Sequence, residues 1–286
     1  MRWKSLTRAG HPRSALLAGA ACKMLRYPVH VFNVINGALK RRANSQRSDG
    51  VCCGAEVYVE LRSCFEEAGM RPSFGDEGTF VFSGSAVLDA MSLLCSAIER
   101  AGYRAPQWGF LAIGAAANGF HNVDGAYSPE VGRRFSSSEM SDWWPQLVEH
   151  LPIVILEDPL HEGHIGGWER LTLRLGSHVI LVGDYIFVTD PARLGRAIYD
   201  GLAGRILLKP NPIGAVSETI HTWGEAVLDG YKTVVSHRSG ETSDIFIGNL
   251  AVVIDGDYIK AGAPARSERA EKYNRPLETE REMRAR

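Results

Sequence analysis

Five short apolar runs in the second half of the chain each end on a single polar residue. These residues are Glu157, Asp184, Lys209, His237 and Lys260, and they are separated by 27, 25, 28 and 23 residues. One strand-plus-helix unit takes roughly 30 residues, and eight such units make a barrel of about 250 residues. Short apolar runs bounded by turn residues are typical of strands buried on both faces of a parallel sheet. The recurrence therefore predicts an α/β fold, a TIM-type (β/α)8 barrel.

In such a barrel the C-terminal ends of all parallel strands meet at one mouth. The two acids, two lysines and one histidine should therefore converge there, although they lie far apart in sequence. A charged residue at a strand end can also simply mark where the strand leaves the core. For one residue that second interpretation is the better one, but five residues in phase favour a functional site.

The composition limits the classes of function. With 286 residues and 45% hydrophobic content, the chain can bury one barrel-sized core. A formal charge of -1 gives no general case for nucleic acid or membrane partners, and no apolar run is long enough to predict a transmembrane helix. The five cysteines lack zinc-type spacing, so reduced thiols in an intracellular protein are expected.

The sequence divides into three predicted segments. Residues 1–27 are basic and contain no acid; the preferred interpretation is a poorly ordered or partly helical leader, and an organellar transit peptide is the alternative. Residues 28–265 form the predicted barrel domain. Residues 266–286 are charged and favour a helical tail with a solvated face.

The strand ends suggest a chemistry. Glu157 and Asp184 follow adjacent predicted strands and would offer Mg2+ the oxygen ligands that it prefers. A metal and partial burial both disfavour an ammonium group, so either Lys209 or Lys260 could act as a neutral base. A base beside Mg2+ can remove a proton next to a carboxylate, because the metal stabilises the enediolate that forms.

Three further residues would complete this chemistry. Glu77 lies on a glycine-bracketed turn that allows close backbone approach, and it could act as the opposing general acid. Arg238 and Ser239 offer donors suited to a phosphate group. These residues together predict metal-assisted proton abstraction with loss of a leaving group.

Six motifs and one longer segment point to a known family. They are FNVING at 32–37, GDEG at 75–78, EDP at 157–159, VGD at 182–184, LLKPNPIG at 207–214, SHRSGET at 236–242, and IKAGAPARSER at 259–269. In these motifs the chain resembles the enolase (phosphopyruvate hydratase) family over about residues 28–275. The SHRSGET segment is the most specific of them.

The resemblance implies a glycolytic, cytoplasmic, Mg2+-dependent lyase that dehydrates 2-phosphoglycerate to phosphoenolpyruvate. It implies that Lys209 is the base that takes the C2 proton and that Glu77 is the acid that assists departure of the C3 hydroxyl. Glu157 and Asp184 would ligate Mg2+, and the implied substrate-binding residues are Glu157, His237, Arg238, Ser239 and Lys260. Enolases pair as dimers, partly through a domain that has no counterpart in this sequence, so the resemblance leaves open whether this chain forms a homodimer.

The chain also departs from the family. Gly114 stands where enolases carry a third metal-binding aspartate, and a basic stretch replaces the mobile histidine loop expected after Gly37. The family's separate N-terminal α+β domain has no counterpart in the sequence. Fewer carboxylates weaken Mg2+ binding, and missing closing loops admit water and cost orientation. These departures predict an impaired enolase. One alternative is a catalytically inactive relative acting as a binding or structural protein, and another is a fragment whose real start lies upstream.

Overall fold

The computed structural model describes residues 28–35, 37–40, 47–84, 86–103, 110–130 and 132–285. The expected leader, residues 1–27, lies outside the described residues.

Ten strands in the described ranges form two sheets. In chain order they are β1 (Val29–Ile35), β2 (Gly37–Lys40), β3 (Phe110–Gly114), β4 (Tyr127–Glu130), β5 (Arg133–Phe135), β6 (Ile153–Glu157), β7 (Ile180–Gly183), β8 (Arg205–Leu208), β9 (Lys232–Ser236) and β10 (Tyr258–Lys260). Eight of them close a barrel in the order β1-β10-β9-β8-β7-β6-β3-β2. The predicted α/β barrel of TIM type is confirmed.

One barrel strand runs against the others. Strand β2 is antiparallel to both β1 and β3, whereas the remaining neighbours are parallel. Only one residue separates β1 from β2 in sequence. A parallel connection needs a crossover of a dozen or more residues, so this short link requires a hairpin.

Nine helices occur in the described part of the chain. They are α1 (Arg47–Glu67), α2 (Val87–Arg100), α3 (Ser137–His150), α4 (Ile165–Leu175), α5 (Pro191–Tyr199), α6 (Pro210–Ile213), α7 (Val216–Leu228), α8 (Phe246–Val253) and α9 (Ser267–Arg284). None of them is long and apolar enough to cross a membrane. The segment before α3 contains the small antiparallel pair β4–β5.

Two apolar clusters fix where a site can lie. The larger one fills the space between barrel and helices, with Trp168, Phe187 and Phe80 fully buried. The smaller one fills the barrel interior with the side chains of Val31, Ala112, Ile155, Val182, Leu207, Val234 and Tyr258. Because the interior is packed, polar chemistry is restricted to the barrel mouth.

The C-terminal helix α9 is less solvated than expected. It begins after the last barrel strand and buries Arg269, Lys272 and Tyr273 almost completely. The Tyr273 hydroxyl lies 2.8 Å from the backbone of both Val31 and Ala261. The helix therefore combines a solvated face with a buried face, through which α9 ties β1 to the segment after β10.

Candidate active site

The five strand-end residues of the sequence pattern lie together at the barrel mouth. Glu157 and Lys260 are the last residues of β6 and β10, and Asp184, Lys209 and His237 directly follow β7, β8 and β9. Two lysine–carboxylate pairs link four of them. The structure thus brings these residues into one cluster, while their chemical roles stay predictions.

The first pair bridges the mouth. Lys260 Nζ donates to both carboxylate oxygens of Glu157, at 2.7 Å each, and both side chains are mostly buried. Burial alone would lower the pKa of Lys260, but the negative charge of Glu157 and its hydrogen bonds outweigh burial and raise that pKa. Lys260 is therefore an ammonium ion held by Glu157.

The second pair joins neighbouring strands. The Lys209 ammonium donates to the Asp184 carboxylate, and both side chains are again mostly buried. The Asp158 carboxylate fixes the backbone of this segment, since it accepts from the N–H of Asp184 at 2.9 Å and of Tyr185 at 3.1 Å. This contact orients the strand end from which the Asp184 side chain projects.

Asp158 was given no role by the sequence analysis, although it stands in the EDP motif. Its side chain is buried and its φ is +46°, a left-handed conformation that aspartate tolerates better than most residues. Burial, with a smaller contribution from the Glu157 charge, raises the pKa of Asp158 to about 7. Its oxygens are engaged with backbone N–H groups, so its role is structural support.

Glu77 faces His237. The turn that carries Glu77 is closed by hydrogen bonds from Gly75 N to Thr79 O at 2.9 Å and from Gly78 N to Gly75 O at 3.0 Å. The Glu77 carboxylate lies 3.6 Å from Nε2 of the buried His237. The turn therefore brings Glu77 to the cluster from a segment 80 residues before Glu157 in sequence.

Polar neighbours hold the Glu77 carboxylate in place. The Asn33 side-chain amide donates to it, and so does the Ser239 hydroxyl at 3.3 Å. Burial, and then the positive charges of Lys260 and Arg269, hold the pKa of His237 well below its usual range. His237 is consequently neutral near pH 7.

Arg238 and Ser239 lie on the exposed loop after β9. The Ser239 hydroxyl contacts the cluster by donating a hydrogen bond to the Glu77 carboxylate. Arg238 lines a neighbouring cavity of about 530 Å³ with Asn211 and Thr242, outside the lysine–carboxylate pairs. The structure thus joins Ser239 to the cluster and leaves Arg238 at its edge.

The predicted metal ligands among the described residues are the two strand-end carboxylates, Glu157 and Asp184. Gly114 pairs with Glu157 in the β3–β6 register, and a Cβ atom built on it would lie 3.9 Å from Glu157 Oε1 and 3.8 Å from Lys260 Nζ. Its missing side chain thus faces the cluster. Across the described residues, no three histidine, cysteine, aspartate or glutamate side chains converge to hold a metal.

Neighbouring acids do not replace the missing carboxylate. Glu162 is bonded to Asn118 at 3.1 Å and to Arg193 at 2.8 Å, and the Asp76 side chain is exposed. Mg2+ is often bound by one or two carboxylates, with substrate oxygens and water completing its shell. Glu157 and Asp184 fit that arrangement, in competition with the lysines that they now bind.

Residues 25–286 match the model of the enolase C-terminal TIM barrel domain. The match covers the whole described barrel and helix α9.

Proposed function

The chain belongs to the enolase C-terminal TIM barrel family, and from this premise we propose that it dehydrates 2-phosphoglycerate to phosphoenolpyruvate with Mg2+. The observation that carries the proposal is the convergence of Lys209, Lys260, Glu157 and Asp184 at one barrel mouth, with Glu77 on its rim. This set contains a proton acceptor in Lys209, a proton donor in Glu77, a cation for an acidic substrate in Lys260 and two carboxylates for a metal ion.

Lys209 is the proposed base. It accepts the C2 proton as a neutral amine, so its hydrogen bond to Asp184 must break and its own proton must leave before the reaction. The electrons of the C2–H bond become the second C2–C3 bond while the C3–O bond breaks. Mg2+, held by Glu157 and Asp184, would supply positive charge beside the substrate carboxylate as negative charge develops there.

Glu77 and Lys260 complete the proposed mechanism. Glu77, in its protonated form, gives a proton to the C3 hydroxyl, which leaves as water. Lys260 is an ammonium ion, and it holds the substrate carboxylate once substrate competes with Glu157 for it. Ser239 and Arg238 provide donors at the side where the phosphate would lie.

A second candidate function is a non-catalytic binding protein. The observation favouring it is that Gly114 supplies no carboxylate while the two remaining ones are already neutralised by lysines. A mouth with this charge balance could hold a phosphorylated hydroxy acid without turning it over.

One experiment separates the two candidates. Phosphoenolpyruvate formation from 2-phosphoglycerate is followed by absorbance, with and without millimolar Mg2+, for the wild type and for Lys209→Ala. Turnover that requires Mg2+ and disappears in Lys209→Ala supports the lyase. Saturable binding of 2-phosphoglycerate by folded protein without turnover supports the binding protein, and the absence of both rejects both candidates.

A further inference from the structure

Arg269 lies buried behind the cluster and was assigned no role by the sequence analysis. Its side chain is 1% exposed, and its Nε lies 3.9 Å from Glu268 Oε1, too far for a hydrogen bond. The guanidinium instead donates to backbone carbonyls and to His237 Nδ1; the carbonyls are those of Asp76, Arg238 and Ser239. A buried cation that is bonded only to neutral groups, here three carbonyls and an imidazole, is energetically costly. Its position therefore suggests a role in the site.

The contact with His237 has a chemical consequence. A guanidinium donates hydrogen bonds, has no acceptor and stays protonated in proteins. The ring nitrogen that faces Arg269 must therefore accept, so Nδ1 carries no proton. A neutral imidazole then carries its single proton on Nε2, the atom 3.6 Å from Glu77 Oε2.

We propose that Arg269 is a positioning residue that locks His237 in the Nε2–H tautomer, so that the site always presents an N–H donor beside Glu77. The same guanidinium binds the carbonyl of Asp76 next to Glu77, at 3.2 Å, and that of Arg238 next to His237, at 2.8 Å. It therefore fixes both the tautomer and the relative position of donor and carboxylate.

This arrangement selects ligands. A fixed N–H beside Glu77 favours a ligand hydroxyl, whose oxygen can accept both from His237 and from the protonated form of Glu77. A group that only donates at this point would leave the His237 N–H unpaired, which is unfavourable in a buried site. The ligand part of the inference rests on the proposed function, whereas the tautomer does not.

The tautomer is measured directly on the full chain by NMR. Long-range 1H–15N correlation spectra of 15N-histidine-labelled protein show which ring nitrogen is protonated, and the His237 signals are those absent in His237→Gln. We expect an unprotonated Nδ1 and a protonated Nε2 from pH 6.5 to 8. A protonated Nδ1, or a doubly protonated ring, would overturn the proposal whether or not the protein turns over 2-phosphoglycerate.

The role of Arg269 is tested by Arg269→Met, with Arg275→Met on the same helix as the matched control. Loss of the donor should produce a measurable Nδ1–H population in Arg269→Met and none in Arg275→Met. An unchanged Nε2–H tautomer in folded Arg269→Met overturns the positioning role. If Arg269→Met does not fold, Arg269→Lys is used, because one ammonium cannot serve the ring and three carbonyls together, and the same mixed population is expected.

Two isosteric variants test the ligand part. A glutamine amide at position 237 can put an N–H near the place of Nε2, whereas an asparagine amide lies near the place of Nδ1. His237→Gln should bind 2-phosphoglycerate within about threefold of the wild type, and His237→Asn about tenfold more weakly, since one lost hydrogen bond is worth about that factor. Equal losses would contradict selection by the Nε2 donor and leave the NMR result standing.

Discussion

Lys260 Nζ lies 2.7 Å from each carboxylate oxygen of Glu157, although 103 residues separate the two in sequence. Their strands, β10 and β6, have three strands between them on either side of the eight-stranded barrel. The ion pair therefore spans the mouth across its diameter. It joins opposite walls of the barrel at the place where a substrate would have to enter.

Lys260→Met should destabilise the protein through this pair. The substitution keeps most of the side-chain volume but leaves the mostly buried Glu157 carboxylate without its cation. Because the mouth retains some contact with water, we expect a loss of about 1–3 kcal/mol in the free energy of unfolding, below the range for fully buried pairs. Urea unfolding measures it.

Lys232→Met is the matched control for that prediction. Lys232 lies 3.7 Å from Asp257, and its side chain is 53% exposed. An exposed pair of this kind contributes about 0–1 kcal/mol. Equal losses in the two variants would show that the Lys260–Glu157 pair adds no specific stability.

Gly114→Asp should strengthen Mg2+ binding. A Cβ atom at this position meets Glu157 and Lys260 at ordinary contact distances, so the side chain fits and lies beside the Glu157 carboxylate. A third charged oxygen ligand should tighten Mg2+ at least about tenfold, or about 1.4 kcal/mol. Calorimetric titration with MgCl2 measures the affinity, and the 2-phosphoglycerate assay measures the effect on turnover.

Gly114→Asn separates charge from shape in that experiment. It offers a similar oxygen without the negative charge, so its Mg2+ affinity should stay close to that of the wild type. If Gly114→Asp also leaves the affinity unchanged, the new carboxylate pairs with Lys260, and Glu157 and Asp184 do not form a metal site.

The sequence predicted the strand ends well because each lies in a buried parallel strand, which produces a continuous apolar run closed by one polar residue. Glu157 and Lys260 could be assigned to one mouth on that ground alone. The antiparallel β2 was missed because Gly37–Lys40 is short and lies in a basic stretch without periodicity. Such a segment has no hydrophobic pattern that would predict a strand. Its antiparallel direction follows from the single-residue link to β1.

The supporting residues could not be predicted from spacing. Arg269 contacts His237 from a helix 32 residues away, and Asp158 acts through backbone N–H groups after another strand. Neither interaction leaves a periodic pattern, because each depends on how separate elements pack. Asp158 lies in the EDP motif and Arg269 in the IKAGAPARSER segment. Membership of these motifs marks both residues as candidates but does not indicate what either one does.

His237 should contribute to a loss of stability below about pH 6.5, whereas Asp158, whose pKa is raised to about 7 in the folded state, acts in the opposite direction over the same range. Burial, then the nearby charges of Lys260, Arg269, Lys209 and Lys272, lowers its pKa in the folded state. Below about pH 6.5 the unfolded chain binds a proton here and the folded chain does not, so acid favours unfolding by up to about 1.4 kcal/mol per pH unit. Above that pH His237 makes no pH-dependent contribution.

The comparison of the wild type with His237→Gln isolates this contribution. The facing carboxylate of Glu77 and the other histidines remain in both proteins, so only the difference between their slopes is used. Free energies of unfolding are measured in urea at pH 8, 6.5 and 5.5, and between the last two values that of the wild type should drop relative to that of His237→Gln. Parallel slopes would mean that His237 is protonated in the folded protein.

Tyr273→Phe should weaken the attachment of α9 to the mouth. The buried hydroxyl accepts from Ala261 N and faces the carbonyls of Val31 and Gly262, each at 2.8 Å. Its removal leaves buried backbone groups unpaired next to Lys260, at a cost of about 1–3 kcal/mol in the free energy of unfolding. The exposed Tyr199 provides the control, since Tyr199→Phe should change stability by less than about 0.5 kcal/mol. An equally small change in Tyr273→Phe would mean that α9 is held by its apolar packing alone.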